Sequence, residues 1–446
     1  MTDLFAARTQ MAMSLGFHIL FAVAGMAMPL LMVIAEVMAR RTADAAWIDL
    51  ARKWAKGTAI LFAVGAVSGT VLSFELGLLW PTFMEHAGPI IGLPFSLEGF
   101  AFFVEAIFLG LYLYGRDKLS PGLHLFSGVM VAISGLASGV LVVAVNAWMN
   151  TPTGFTLVDG VITDIDPFAP FFAAAFPTQA SHMALAAYAS VAAAVLGIHA
   201  LGLLRRPDSQ FHQKAAKVAF AVLAVSLPLQ ILTGDLSAKH IAEHQPAKLA
   251  AAEGLFETQT RAPLAIGGWP DVEARELKWA IEIPGALSFL SFADFDAEVK
   301  GLDQVPRDEW PPVAVTHISF QIMVGCGFAM LALVGFGLWL RWRRGRERWL
   351  QSRWFLKAAV AGAPLGLIAV EAGWFVTEVG RQPWVVRGVM KTSEAVTPMP
   401  DLHVPLAMFT LLYIVLGVVV VVLLRALFRD ATPLQDPPSS TAEGAP

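Results

Sequence analysis

Two glutamates interrupt the apolar run LGLIAVEAGWFVTEVGRQPW over residues 365–384. Glu371 and Glu378 are seven positions apart, so on a helix they share one face to within about 20° and stand about 10.5 Å apart along the axis. A carboxylate in a bilayer is costly unless it faces the protein interior and meets a partner, which is why such residues mark ion paths, proton relays or cofactors. Few other side chains of comparable chemistry lie in apolar surroundings: His18, Glu98, Glu105, His182 and Met323.

Each has an ordinary explanation when taken alone. A lone histidine at a helix end commonly satisfies a backbone or water partner, and most of the 16 methionines must fill apolar gaps. Glu378 can pair with Arg381 at the membrane edge, and Lys248 and Glu253 would by default form a solvated face. Glu371 is harder to explain away, because it lies in mid-segment. Histidine, histidine, methionine and glutamate delivered by four helices at one depth is what a bundle needs to hold buried cofactors. A single histidine at each place suits a haem better than zinc, which takes three or four N, O or S ligands together. A His and Met pair is a known haem ligation that raises the reduction potential.

Two function classes stand at this point, a haem-bearing membrane oxidoreductase and a proton-coupled secondary transporter using the glutamates as its relay. The transporter would carry inverted repeats and Gly- or Pro-broken helices near the midplane. No fixed-period repeat is found, since EGFAFFVE (98–105) and EAGWFVTE (371–378) are too short a likeness, and the polar residues lie off-centre.

The elements that must position these residues follow from composition. The chain is 56% hydrophobic and 15% charged, with mean hydropathy +0.62, far from soluble usage. It is expected to be an all-α polytopic membrane protein with nine crossings at 14–37, 55–79, 95–115, 124–147, 180–204, 217–236, 314–340, 356–379 and 403–427. MTDLFAARTQ lacks a basic cluster, so the first crossing reads as a retained helix and not a signal peptide. The single cysteine, Cys326, excludes an intrachain disulfide and a CxxCH haem attachment. Net charge −4 gives no reason to expect a nucleic-acid partner.

Of 31 Lys and Arg, twenty fall in one alternating set of short loops plus the C-terminal tail and only four in the other. The positive-inside rule then puts the N-terminus outside and the C-terminus in the cytoplasm. Residues 237–313 form one long outer loop between helices 1–6 (1–236) and 7–9 (314–429), with helical character in AKLAAAEGLFETQ, and 430–446 reads as a disordered tail. In this frame His18, Glu98, His182, Met323, Glu371 and Glu378 share an outer layer, with Glu98 opening the third helix, and Glu105 lies two turns deeper.

Seven ordered blocks, GFHILFA, SLEGFAFFVEAIFLG, VNAWMN, ASHMALAAY, KLAAAEGLFET, ISFQIMVGCGF and VEAGWFVTEVGRQPW, resemble subunit I of the cytochrome bd quinol oxidases across all nine crossings. The resemblance implies two haem b and one haem d, with quinol and dioxygen as substrates. It implies a smaller integral subunit II as partner and leaves room for a small single-helix accessory subunit. By position, His182 and Met323 would ligate a low-spin haem b, while His18 and Glu371 would serve two closely placed high-spin haems. Glu98 and Glu105 match acids at that pair, and Glu105, Ser138 and Asn146 resemble a proton route. Lys248 and Glu253 match a quinol-binding pair, and Trp374 and Arg381 resemble parts of the haem surroundings. Gln321 stands where many members carry Arg, which puts the low-spin potential in question. The loop lacks the long insertion of some members, so the chain is similar to the short-loop oxidases called cyanide-insensitive.

Overall fold

The computed structural model describes residues 2–158, 161–345 and 347–429. It is 75% helical, and among the described residues nine helical segments are long and apolar enough to cross a membrane. In chain order the helices are α1 (Asp3–Thr42), α2 (Ala45–Leu79), α3 (Pro81–Tyr114), α4 (Pro121–Asn150), α5 (Phe176–Arg205), α6 (Gln210–His244), α7 (Pro246–Glu253), α8 (Ala286–Phe292), α9 (Val313–Arg344), α10 (Arg353–Gly362), α11 (Leu365–Val379), α12 (Thr392–Ala395) and α13 (His403–Arg429). α10 and α11 together make one crossing, interrupted at Ala363 and Pro364.

Local chemistry fixes the helix starts. Thr2, Asp44, Ser120 and Ser209 cap α1, α2, α4 and α6 by accepting backbone N–H groups, and α3, α4, α5 and α7 each carry proline in the first turn, where its missing N–H costs nothing. Two four-helix groups result. α1 packs on α2 and α4, with α3 against α4; α5 packs on α6 and on the α10–α11 pair, with α9 against α11. The groups meet where α5 touches α1 and α4, and α13 lies outside against α1 and α2.

Lipid tails offer no hydrophobic incentive for helices to associate, so close packing of small residues does the work. α5 supplies Ala187, Ala189, Ala192, Ala193 and Ala200, all buried. A Cβ on Gly366 of α11 would lie 2.3 Å from Ser190 Cα, and one on Gly197 would lie 2.4 Å from Ala363 Cβ. Either substitution would push the backbones apart.

Three boundaries differ from the sequence expectation because helix continues where hydropathy falls, and a fourth because a helix stops short. The second and third helices begin at Ala45 and Pro81. Glu98 therefore does not open the third helix; about 25 Å of α3 precedes it. α6 runs on to His244, so the long loop starts at 245 and not 237. Within it, the expected helix over 247–259 is shorter: α7 stops at Glu253, where Gly254 takes the left-handed φ of 68° that ends a helix readily. The rest of the segment is α8 and short two-stranded ladders over a small core of Leu249, Phe256, Leu287, Val299 and Leu302. The tail expectation at 430–446 falls outside the described residues.

Candidate functional site

His18 projects from α1 toward α2, and its Nδ1 lies 2.9 Å from the Ser68 hydroxyl. That hydroxyl donates to the carbonyl of Val64 at 2.9 Å, so its oxygen is left to accept the imidazole N–H. The arrangement favours the tautomer protonated at Nδ1, leaving the Nε2 lone pair free for a metal. His182 of α5 repeats the device against α6. Its Nδ1 is 3.2 Å from the Thr233 hydroxyl, which donates to the carbonyl of Gln230 at 3.1 Å. Its Nε2 accepts from the Gln230 amide at 3.0 Å.

Each of the four candidate ligands also meets a glycine of a neighbouring helix. A Cβ would lie 3.0 Å from His18 Cε1 if built on Gly69, and 3.3 Å from His182 Cε1 if built on Gly234. One on Gly373 would lie 3.0 Å from Met323 Sδ, and one on Gly16 would lie 3.2 Å from Glu371 Oε2. The other Glu371 oxygen, Oε1, is buried without a hydrogen-bond partner. Among the described residues no three His, Cys, Asp or Glu side chains come together to hold a bare metal ion. Isolated imidazole, thioether and carboxylate donors on separate helices, with glycine leaving room beside each, fit a planar macrocycle carrying its own four equatorial nitrogens.

The remaining residues fall into two groups. In the first, Ser138 of α4 donates to Glu98 of α3 at 3.0 Å, and Glu105 lies two turns further along α3, buried against Gly135 and Gly25. In the second, Asn146 of α4 donates to Glu378 of α11, and Glu378 accepts from Arg381 at 2.5 Å. Glu105, Ser138 and Asn146, expected as one route, are thus not joined by direct hydrogen bonds. Asn146 instead belongs to a chain that reaches the loop segment. Asn150 donates to its carbonyl and side-chain oxygens at 2.9 and 3.0 Å, and accepts from Lys248 Nζ at 2.5 Å.

Lys248 and Glu253 are both buried, so they are not a solvated face. Burial, with Arg381 and Arg387 nearby, holds the Lys248 ammonium well below its usual value, and burial pushes the Glu253 carboxyl up to about 8. Glu253 Oε2 has no partner. Arg381 is buried as well, with Nε and Nη1 unpartnered after Nη2 has bonded Glu378. A buried guanidinium with two free donor atoms suits the carboxylate edge of a bound group. Trp374 is half-buried on α11 between Glu371 and Glu378. Gln321 binds backbone: its amide donates to the Ala265 carbonyl at 3.1 Å and its oxygen accepts from Gly267 N–H at 3.0 Å. It fastens α9 to the loop segment.

Sequence reasoning passed over several polar partners. Asn150, Ser68 and Thr233 are ordinary in sequence and acquire meaning only from the helix opposite. Glu75 of α2, bonded to Gln10 at 3.0 Å, and Glu36 of α1, bonded to Arg40, Arg116 and Tyr112, are buried acids that the intramembrane-carboxylate signal would have found.

Residues 6–432 match the family model for cytochrome bd terminal oxidase subunit I. A Bacillus subtilis (strain 168) protein provisionally named cytochrome bd menaquinol oxidase subunit I is 41% identical over 433 residues, covering 96% of this chain and 97% of its own. The cytochrome bd ubiquinol oxidase subunit 1 of the same organism is 32% identical, covering 95% of this chain and 93% of its own. A bd oxidase structure from Geobacillus thermodenitrificans superposes with TM-score 0.90 at 41% identity, covering 96% of this chain and 99% of that one. Nothing comparable supports the transporter alternative. The match runs through every membrane crossing and every candidate ligand, and the chain belongs to the cytochrome bd terminal oxidase subunit I family, haem-containing quinol oxidases of the bacterial respiratory membrane.

Proposed function

We propose that this chain oxidises quinol beside Lys248 and Glu253 and reduces dioxygen to water at a buried haem pair. The observation that carries the reading is the repeated tautomer lock, in which the Ser68 and Thr233 hydroxyls accept Nδ1–H from His18 and His182; this leaves Nε2 of His18 free as a ligand atom and Nε2 of His182 as an acceptor that would exchange its Gln230 bond for the metal. His182 and Met323 would hold a low-spin haem b, and His18 and Glu371 would hold the high-spin haem b and haem d. Bound haem supplies the electron relay and the reduction of oxygen; the chain's own residues handle position and protons.

Residues 245–312 form the quinol segment. Glu253, which gains a proton readily, takes one from a quinol hydroxyl, and Lys248, steadied by Asn150, holds a quinol oxygen by a charge-assisted bond when protonated. Menaquinol and ubiquinol are both named for relatives. Arg381, with Trp374 nearby, would neutralise a haem carboxylate edge. Glu98, Glu105 and Ser138 would bring protons to the oxygen site from the far side of the membrane, and Asn146 serves the quinol segment. The distribution of Lys and Arg supports the quinol segment and N-terminus outside and the C-terminus in the cytoplasm. A smaller integral subunit II completes the oxidase, with a small single-helix subunit as a further partner.

A reduced-minus-oxidised spectrum with pyridine haemochrome analysis of the purified complex, together with quinol-driven oxygen uptake, tests the reading. Haem b and haem d in a two-to-one ratio are expected, and a haem-free protein would overturn it.

A further inference from the structure

The segment between α7 and α9 carries apolar surface that neither the ligand candidates nor Lys248 and Glu253 use. Strands Leu264–Ile266 and Ile281–Ile283 pair antiparallel, with Ile266 opposite Ile281 and Leu264 opposite Ile283. Residues two apart face the same way, so these four form one apolar face while Ala265 and Glu282 belong to the other. Ala265 is buried while Ile266, Ile281 and Ile283 are exposed, so the isoleucine face points away from the protein. Ile281 is 68% and Ile266 50% exposed, and at the adjoining ladder Trp269 is 51% and Trp279 85% exposed. Trp279 adopts φ 58°, a conformation that disfavours bulky side chains, with its indole held off the protein.

The register of α9 gives the depth of this face. Its basic end is at Arg341, Arg343 and Arg344. About 30 Å of helix, the thickness of the hydrocarbon core, separates Arg341 from Gln321. Gln321 therefore stands at the opposite hydrocarbon edge. The turn joining the two ladders is fixed at that level, since Gly267 donates to Gln321 and its carbonyl lies 3.1 Å from Nε2 of His317, one helical turn away. The far tip of the second ladder is polar, with Asp271 opposite Glu276 and with Glu273 and Arg275 exposed, and Asp271 reaches back to Lys278, which stands opposite Trp269, at 2.6 Å. Aromatic and branched apolar side chains level with the hydrocarbon edge, below a charged tip, have the composition of a membrane-interface belt.

We propose that this pair of ladders is an interfacial anchor whose Ile266, Ile281, Trp269 and Trp279 surface is covered by the bilayer leaflet at the boundary of headgroups and acyl chains. The bilayer is the occupant because the face lies at its edge and is fastened to a membrane-crossing helix. An apolar patch of this kind on a water-facing surface would be a liability. The inference stands on the membrane crossings and does not depend on the quinol reading.

The test uses the whole oxidase in lipid vesicles on a Cys326→Ser background. Trp279→Cys, Ile281→Cys and Glu282→Cys are each labelled with an environment-sensitive thiol fluorophore, after the haem spectrum has confirmed folding. Probes at 279 and 281 should be quenched several-fold more by acyl-chain quenchers than by aqueous iodide, with the reverse order at 282. Iodide quenching at 279 and 281 as strong as at 282 would overturn the proposal. Protection from both quenchers would overturn it too, by showing that protein covers the face.

Discussion

The Nδ1–H of His18 is directed at the hydroxyl of Ser68, 2.9 Å away on the next helix, and that hydroxyl is committed to the Val64 carbonyl. The tautomer of a ligand candidate is thus set by a side chain of the neighbouring helix. Removing such a partner typically lowers metal-site affinity 10–100-fold. Ser68→Ala should lower retention of the haem at His18 by about that factor while the helices still fold. Haem-to-protein ratio and the rate of haem transfer to an apo-globin acceptor measure it, and full retention would show that the hydroxyl does not matter.

Met323 brings its sulfur against Gly373, where there is room beside it. Met323→Leu keeps the volume and removes the donor, so the low-spin haem b should turn high-spin or be lost, with the other two retained. An unchanged low-spin band would refute the ligation.

Glu253 is neutral below about 8 and ionised above, because burial disfavours the charge. As a proton acceptor it works only when ionised. Quinol oxidation should therefore rise with pH, approaching a tenfold gain per unit well below 8 and levelling above it, and Glu253→Gln should abolish that slope and lower the rate by about 10²–10⁴. Stability moves the other way. The carboxyl's folded value lies above its unfolded value, so its burial is tolerated fully below about 4.3 and costs progressively more as pH rises toward 8. Quinol-driven oxygen uptake across pH, beside uptake with a donor that reduces the haems directly, separates the quinol step from the rest.

Asn150 has both ends of its amide engaged, accepting from Lys248 and donating to Asn146. Asn150→Leu strips Lys248 of its acceptor, at a cost of about 1–3 kcal/mol for the stranded group. KM for quinol should rise with the direct-donor rate unchanged. Adding Lys248→Leu should then change little more, since residues that act as a unit are not additive. Fully additive losses would break the link between the two residues.

How far this was legible in the sequence depended on the kind of residue. His18, His182 and Glu371 stood out because polar atoms in apolar runs are expensive and rare, whereas Met323, one of 16 methionines, gained meaning only beside histidines at matching depth. Their partners did not stand out: Ser68 is 50 positions from His18, Thr233 is 51 from His182, and Asn150 is 98 from Lys248. Helical periodicity says nothing about which face of one helix meets which face of another. The same blindness hid the glycines at Gly69, Gly234, Gly373 and Gly16. Hydropathy windows also began α2 and α3 too late and ended α6 too early, since a helix can outrun the hydrocarbon into water.

Glu105 carries the last prediction, which concerns the direction of proton flow. If quinol is oxidised at the 245–312 segment, its protons leave on that side of the membrane. A haem pair held by His18 and Glu371 would still need protons to make water. Drawing them from the other side requires acids deeper than the ligands, and Glu105, two turns beyond Glu98 on α3, is so placed, buried against Gly135 and Gly25. Ser138 donates to Glu98 at 3.0 Å, bonding across to the neighbouring helix where a lone serine would often bond back to its own, so Glu98 would be a fixed receiving group between Glu105 and the site. Electrons and protons then reach oxygen from opposite faces, and turnover charges the membrane without a pump. Glu105→Leu, and Glu105→Gln as a variant closer in shape, should each slow oxygen reduction by about 10²–10⁴ and leave the haems largely reduced at steady state. In liposomes the unaltered oxidase should build a potential positive on the side of the 245–312 segment. Turnover without a potential, or protons taken up on the side where they are released, would mean that Glu105 does not lie on the path.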